Sequence, residues 1–228
     1  MDQVDTILAQ TPLFGGLAVE QREQIRNIAK EKQFKKGETI FLEGDHGNGF
    51  YIILNGMIKI FKVSADGKEQ ILHIYGPGYP FGEVPVFAGQ HFPANAQAVQ
   101  KSRLLFFPRQ AFIDLITVQP SLAMNMLAVL SMRLRQFTVQ IENLSLKEVP
   151  GRLASYLIYL SLEQNSPTKV DLPISKGQLA SLLGTIPETL SRIFNKMTSQ
   201  DMISVRGSTI RIRDAQALEM LAESGKLG

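Results

Sequence analysis

The chain has 228 residues, of which 44% are hydrophobic and 20% charged, with a formal net charge of +3 and no cysteine. This composition is typical of a globular protein, and the lack of cysteine excludes disulfides, cysteine-ligated iron–sulfur clusters, zinc fingers and thiol redox switches. The start of the chain lacks the apolar run of a signal peptide, and the apolar stretch from Pro120 to Met132 is too short to cross a bilayer. We therefore expect a cytoplasmic protein with no membrane partner.

Hydrophobic spacing divides the chain into three regions. From Thr11 to Lys32, repeated apolar residues predict a short helical lead-in with one buried face. From Phe34 to Pro108, glycines separate short runs rich in β-branched and aromatic residues, which predict strands. The runs are Glu38–Leu42, Phe50–Leu54, Met57–Val63, Gln70–Tyr75, Ala94–Val99 and Arg103–Phe107.

Tight turns separate these runs at Asn55-Gly56 and Asp66-Gly67, which are typical hairpin dipeptides. Short strands at regular spacing predict an antiparallel roll or barrel. The interior of such a small closed sheet is either packed or holds one small ligand. We therefore assign residues 1–119 to an effector-sensing domain.

A long helix is predicted from about Pro120 to Lys147. Its apolar residues follow steps of four and three, the pattern of a coiled-coil seam. The seam consists of Ala123, Leu127, Leu130, Leu134, Phe137, Ile141 and Leu144. We interpret residues 120–148 as a homodimerisation helix; the alternative is that the helix packs only on its own domain. Val149-Pro150-Gly151 breaks the pattern and predicts a hinge.

Residues 149–228 are predicted to form a winged helix-turn-helix domain. Ser175 followed by Gln178 is a capping-box start, and Gly184 supplies a left-handed helix end. Pro187 suits the first position of a second helix reaching about Ser199. The apolar stripe of this helix is Leu190, Ile193, Phe194 and Met197. Two β-rich runs joined at Arg206-Gly207-Ser208 add a hairpin wing.

This motif predicts binding to double-stranded DNA, because such a helix enters the major groove and its first residues reach base edges. The predicted base-reading residues are Glu188, Thr189, Ser191 and Arg192. The predicted phosphate contacts are Ser175, Lys176 and Arg206. Between Ile174 and Arg213 six basic residues stand against two acidic ones, a local net charge of +4. Charge alone would be equally well explained by a solvated surface.

Five stretches carry a resemblance that covers nearly the whole chain: Gly49–Lys59, Gly76–Gly78, Phe81–Glu83, Gly151–Ala154 and Pro187–Arg192. Together they resemble the CRP/FNR superfamily of bacterial transcription regulators. The resemblance implies an α+β protein with an N-terminal, cyclic-nucleotide-binding-like antiparallel β-roll, a dimerisation helix and a C-terminal winged helix. It implies an effector-responsive homodimer on a palindromic site, with RNA polymerase as a further partner.

The last stretch resembles the Glu-x-x-Ser-Arg signature on the FNR side of the superfamily. That resemblance implies that Glu188 and Arg192 read a G·C pair in a TTG-containing half-site.

The implied effector pocket departs from that of members that bind cyclic AMP. Its residues are Phe81, Gly82, Glu83, Phe92, Pro93, Ala94 and Phe137. Phe92 and Pro93 stand where those members have an Arg-Ser pair that neutralises the cyclic phosphate, and Phe137 aligns with a Thr that contacts adenine. Because a buried phosphate needs a cation or donors, and proline lacks an N–H, we expect an effector other than cyclic AMP.

The segment from Phe81 to Ala98 also resembles the haem- and nitric-oxide-linked DNR and HcpR branches. It implies a gas or small-molecule effector and haem as a possible cofactor. The candidate iron ligands are His46, His73 and His91, with none preferred.

Two other classes of function compete with gene regulation. A cyclic-nucleotide-binding regulatory module without direct gene regulation is the nearer one, and the winged helix argues against it. An enzyme is the other, but no nucleophile–base spacing or metal-ligand spacing supports it.

Overall fold

The computed structural model describes residues 3–89 and 91–226. The chain forms two compact units, Met1–Leu134 and Arg135–Gly228. The predicted three-part division into residues 1–119, 120–148 and 149–228 is a functional one and stays a prediction.

The N-terminal unit begins with helix α1 (Gln3–Gln10), a 3-10 turn (Pro12–Phe14) and helix α2 (Val19–Ile28). The predicted helical lead-in is wrong beyond Ile28, because Lys30–Phe34 forms strand β1. This strand has no apolar alternation of its own. Lys30–Phe34 forms a strand because it pairs with the later strand at Ser102–Pro108, so a tertiary contact overrides the local sequence pattern.

Two four-stranded antiparallel sheets form the roll. After β1 the strands are β2 (Thr39–Phe41), β3 (Gly49–Asn55), β4 (Ile58–Val63), β5 (Glu69–Tyr75), β6 (Pro80–Phe81), β7 (Asn95–Ala98) and β8 (Ser102–Pro108). Their orders are β1-β8-β3-β6 and β2-β7-β4-β5. All six predicted runs are therefore strands; β1 and the two-residue β6 were not predicted. Helices α3 (Val84–Ala88) and α4 (Arg109–Val118) complete the roll.

The tight turn predicted at Asn55-Gly56 is present, but it joins β3 of one sheet to β4 of the other and is not a hairpin. The turn at Asp66-Gly67 does close a hairpin, between the paired strands β4 and β5. Gly56 has a φ of +100°, and a Cβ at this position would lie 2.1 Å from the Oγ of Ser102. Both the left-handed backbone and the close approach therefore require glycine between β3 and β4.

Two apolar clusters fill the N-terminal unit. One packs α1, α2 and α4 against the outer side of the roll and includes Phe14, Ile25, Phe107 and Phe112. The other fills the space between the two sheets and is rich in aromatic side chains. It includes Phe41, Tyr51, Tyr75, Phe81 and Phe92.

The long helix α5 spans Pro120–Leu146, as predicted. Leu122, Met126 and Val129 lie one turn apart and are buried in the first cluster, so this stripe attaches the first half of α5 to the N-terminal unit. Within the described residues no single helix is long and apolar enough to cross a membrane; α4 and α5 together pass that test but are bent by 115°.

The C-terminal unit contains a helical core and a small sheet. After α5 come α6 (Val149–Glu163), β9 (Lys169–Asp171), α7 (Lys176–Leu182), α8 (Pro187–Ser199), β10 (Ile203–Arg206), β11 (Thr209–Ile212) and α9 (Ala215–Ser224). The sheet order is β10-β11-β9, so β9 extends the wing to three strands.

The predicted hinge at Val149-Pro150-Gly151 is displaced in the structure. These residues form the first turn of α6, where proline is tolerated because its missing N–H has no intrahelical partner, and the helical break falls at Lys147 and Glu148. A Cβ at Gly151 would lie 2.5 Å from the Cα of Gly225, so glycine is required for this close packing of α6 on the end of α9.

Candidate DNA interface and effector pocket

The first helix of the predicted DNA-binding motif begins as its sequence indicates. The Oγ of Ser175 accepts a hydrogen bond from the backbone N–H of Gln178 at 3.2 Å, and the Gln178 side chain accepts one from the Ser175 backbone N–H at 3.0 Å. The capping box starts α7 one residue after Ser175. Gly184, with a φ of +65°, turns the chain after α7.

Helix α8 opens at Pro187 and has two chemically distinct faces. Its apolar stripe is buried and consists of Leu190, Ile193, Phe194 and Met197. Glu188, Ser191 and Arg192 are exposed, whereas Thr189 is half-buried. The structure therefore brings three of the four predicted base-reading side chains together on the solvent side of the first turns, and it places Thr189 toward the margin.

Arg192 has no ion pair or hydrogen bond to another described side chain, so its guanidinium is available to a ligand. Glu188, one turn earlier on α8, forms no ion pair with Arg192 in the described structure. Lys176, at the start of α7, places its Nζ 5.3 Å from the ring centroid of Phe194 and remains exposed. Ser175 is also exposed beside it.

The wing is a tight hairpin with basic side chains on its open face. Gly207 has a φ of +61° between β10 and β11, and Arg206 is exposed next to it. Arg211 is exposed as well, because it alternates with the buried Ile210 along β11. Sequence reasoning did not single out Arg211, although this alternation was the signal that could have found it.

The third wing strand is attached by a side-chain hydrogen bond. The hydroxyl of Thr209 donates to Asp171 at 2.5 Å. This bond, followed by that from Lys169, lowers the pKa of the Asp171 carboxyl. This side-chain hydrogen bond adds to the backbone pairing that joins β9 to β11.

The predicted seam of α5 is largely uncovered by the rest of the chain. The exposed fractions of Leu127, Leu134, Phe137, Ile141 and Leu144 lie between 39% and 68%. Leu130 differs, because it is half-buried and packs against the first apolar cluster. The helix therefore carries two apolar stripes: one, in its first half, packs on the N-terminal unit, and the other is exposed.

Six of the seven predicted pocket residues lie in the N-terminal unit. Phe81, Glu83, Phe92 and Ala94 are buried. Pro93 is exposed, and its carbonyl oxygen accepts a hydrogen bond from Lys62 Nζ at 3.0 Å. The seventh residue, Phe137, lies on α5 in the C-terminal unit.

Aromatic packing occupies the space around Gly82. Phe92 stacks on Phe41 with ring centroids 3.7 Å apart and an interplanar angle of 5°. Gly82 has a φ of +75°, and a Cβ there would lie 3.1 Å from the ring of Phe41 and 3.2 Å from that of Phe92. Phe92 is one of the two residues that stand where cyclic AMP-binding members have an Arg-Ser pair. In the structure its side chain is part of the interior packing.

A charged cluster that sequence reasoning missed lies beside this pocket. The guanidinium of Arg133 on α5 is paired with the carboxylate of Glu83 and donates to the carbonyl oxygen of Pro80. Its Cζ lies 5.1 Å from the ring centroid of Tyr75. Burial, and secondarily the charge of Arg133, lowers the pKa of His73 to about 4, so this histidine is neutral near pH 7.

The three candidate iron ligands fall into two places. His46 and His91 are exposed and face each other with ring centroids 4.2 Å apart, whereas His73 is mostly buried in β5. Two imidazoles on opposite sides of a haem iron need centroids about 6 Å apart, since each metal–nitrogen bond is about 2 Å. The cavity beside His46 has a volume of about 180 Å³, whereas sites for drug-sized ligands usually start at about 300 Å³. These residues do not fit a bis-histidine haem.

An antiparallel β-roll, a long helix and a winged helix-turn-helix with an exposed polar face on α8, in this chain order, define a class: DNA-binding transcription regulators. Residues 31–118 match the cyclic nucleotide-binding domain family, and residues 151–221 match the Crp-like helix-turn-helix domain family.

Similar proteins cover nearly the whole chain. The cyclic AMP receptor protein of Thermus thermophilus is 31% identical over 93% of this chain and 97% of its own length. The fumarate and nitrate reduction regulatory protein of Salmonella typhimurium is 31% identical over 88% of this chain and 82% of its own length. The crystal structure of the Thermus thermophilus catabolite activator protein covers 95% of this chain and 100% of its own, with 30% identity and a TM-score of 0.55. The chain belongs to the CRP/FNR family of DNA-binding transcription regulators.

Proposed function

We propose that this regulator acts as a homodimer on an inverted-repeat DNA site and responds to an effector other than cyclic AMP. The single observation that carries the DNA-reading part is the free, exposed guanidinium of Arg192 on the same face of α8 as Glu188 and Ser191. An arginine can make two hydrogen bonds to guanine, and a carboxylate can accept one from cytosine, so this face suits a G·C pair.

The remaining polar groups support binding to the DNA backbone. Ser175 and Lys176 at the start of α7, with Arg206 on the wing, supply donors for phosphates on either side of the reading helix. Arg211 extends this set along the wing. Such contacts add affinity without sequence preference and make binding dependent on salt.

The exposed apolar seam supports the dimer. Leu127, Leu134, Ile141 and Leu144 are large apolar side chains whose exposed fractions in the single chain are 39% or more. A second copy of α5 would bury these side chains by knobs-into-holes packing. The two-fold axis of such a dimer would then place the two copies of α8 on two DNA half-sites.

The interior packing of the roll supports an effector other than a cyclic nucleotide. Relatives from Thermus thermophilus and Mycobacterium tuberculosis are described as a cyclic AMP receptor and a cyclic AMP-activated regulator. In this chain Phe92 stacks on Phe41, and Pro93 has no N–H to offer a phosphate. Our proposal for the effector is a gas or another small molecule, the class implied by the sequence resemblance of residues 81–98 to haem- and nitric-oxide-linked regulators.

Signal transmission would be a shift between populations of the dimer. An effector that binds one packing of the two α5 helices more tightly than another would change the spacing between the two copies of α8. In this scheme residues 1–119 sense the effector, 120–148 dimerise and 149–228 bind DNA. The protein would act in the cytoplasm, with RNA polymerase as a further partner.

Selection from random duplex DNA by the full chain tests the proposed site. We expect enrichment of an inverted repeat of TTG-containing half-sites, each with a conserved G·C pair. Enrichment of a single, non-repeated sequence would contradict the dimeric mode of binding, and enrichment of repeats without that G·C pair would contradict the role of Arg192.

A further inference from the structure

Two exposed histidines lie side by side on the surface of the N-terminal unit. His46 belongs to the loop between β2 and β3, and His91 lies between α3 and β7. They form an isolated antiparallel bridge. Their rings are 4.2 Å apart between centroids, at an interplanar angle of 59°. The proposed DNA and effector functions use neither side chain.

The backbone on both sides of this pair is fixed by hydrogen bonds. The Phe92 N–H donates to the carbonyl of Asp45 at 2.9 Å, and the Gly44 N–H donates to the carbonyl of Phe92 at 2.9 Å. The Asp45 carboxylate accepts from the backbone N–H of Leu42 at 2.8 Å. The Phe92–Asp45 bond flanks the two histidines as in a non-hydrogen-bonded pair, the arrangement that brings side chains closest together. The imidazoles are therefore held near each other before any ligand binds.

This spacing suits two neighbouring ligands on one metal ion. Two imidazoles bound at 90–110° to the same ion have ring centroids about 4.5–5 Å apart, given a metal–nitrogen bond of about 2 Å. Small side-chain rotations lead from the observed 4.2 Å to that range. Imidazole nitrogen is a preferred ligand of Zn²⁺, Ni²⁺ and Cu²⁺, and both rings are open to solvent.

We propose that His46 and His91 form a two-histidine site for a divalent transition metal ion, with water completing the coordination shell. Within the described residues no group of three or more His, Cys, Asp or Glu side chains is placed to hold a metal, so the site offers two protein ligands and open positions. The carboxylate of Asp45, next to His46 in the chain, adds negative charge nearby. Both imidazoles are exposed, so water can reach the remaining coordination positions.

Metal binding would join two segments that frame the predicted effector pocket. His91 is followed directly by Phe92, which stacks on Phe41. An ion shared by His46 and His91 would therefore hold the β2–β3 loop against the segment that carries Phe92. Because the folded chain binds the ion and the unfolded chain has no such pair, the metal stabilises the N-terminal unit.

Zinc titration of the untagged full chain tests this proposal. We expect one Zn²⁺ per chain by calorimetry and a higher melting temperature with Zn²⁺ than with Mg²⁺. In histidine-selective NMR spectra the ring signals of His46 and His91 should move together, while those of the buried His73 stay in place and serve as an internal control. His46→Gln and His91→Gln should each weaken Zn²⁺ binding at least about tenfold.

Circular dichroism of both variants checks that they remain folded, since both positions are exposed. Zinc binding that persists unchanged in the double variant would overturn the site, as would a titration in which the His46 and His91 signals do not move. Neither outcome depends on DNA binding, so failure here is separate from failure of the proposed function.

Discussion

Arg133 on α5 is paired with the carboxylate of Glu83, and both side chains are nearly buried, with exposed fractions of 12% and 9%. The same guanidinium donates to the carbonyl oxygen of Pro80 and lies over the ring of Tyr75. Removing one partner of such a pair leaves the other charge buried without compensation, which is far more costly than removing both.

Replacing Arg133 by Ala should therefore destabilise the protein by about 3–5 kcal/mol, because the Glu83 carboxylate would be left unpaired. The double variant Arg133→Met/Glu83→Gln should recover a large part of this loss. Urea denaturation measures both values, and Arg135→Ala, which removes an exposed charge two residues further along α5, is the control. Equal losses in the single and double variants would show that packing, and not the charge pair, accounts for the effect.

His73 should make stability depend on pH. Burial and Arg133 lower its pKa from the usual 6.5 to about 4, so the folded state binds this proton less readily than the unfolded state. Its contribution to stability is complete above pH 6.5 and is lost as the pH falls toward 4, by up to about 3 kcal/mol in total. Wild type and His73→Gln should be compared by urea denaturation across this range. Parallel curves for the two proteins would contradict the prediction.

Ile141→Glu should convert the proposed dimer into a monomer. Ile141 is 64% exposed in the single chain and lies on the seam, so two copies of the variant would bury unpaired carboxylates against each other. Light scattering gives the mass in solution. Leu146→Glu, which changes an exposed apolar residue off the seam, is the matched control and should remain dimeric. A dimeric Ile141→Glu protein would rule out this stripe as the interface.

Arg192→Ala and Lys176→Ala should have different effects on DNA binding. Loss of Arg192 should cost about 1–3 kcal/mol on the preferred site and relax the preference at one G·C position per half-site. Loss of Lys176 should weaken binding to every sequence and reduce the salt dependence by about one phosphate contact per subunit. Competitive selection at two salt concentrations separates the two. If sequence preference survived without Arg192 and disappeared without Lys176, another edge of α8 would have to face the bases.

Cyclic AMP should not bind to the wild-type chain in the micromolar range. Phe92 occupies the pocket by stacking on Phe41, and neither it nor Pro93 can pair with a phosphate. Calorimetric titration is the measurement, with a cyclic AMP receptor protein as the positive control. Tight, saturable binding would mean that another cation, such as Arg133 after release from Glu83, reaches the phosphate.

The sequence by itself determined the elements whose signals are local. Ser175 with Gln178, Gly184 and Pro187 mark the ends of α7 and α8, because capping and left-handed backbone depend on residues within one turn. The roll strands and the seam of α5 could likewise be predicted from hydrophobic periodicity. The sequence also shows that Phe92 stands where members of the family that bind cyclic AMP have a phosphate-binding residue.

The tertiary structure alone decided the features that join distant segments. Strand β1 has no strand pattern of its own and exists through its pairing with β8. Arg133 and Glu83 are 50 positions apart in sequence, so their pairing carries no local signal. The same holds for His46 and His91, which meet only because two loops are hydrogen-bonded to each other. Periodicity reports which face of a segment is apolar, whereas the choice of partner depends on how the folded chain brings those faces together.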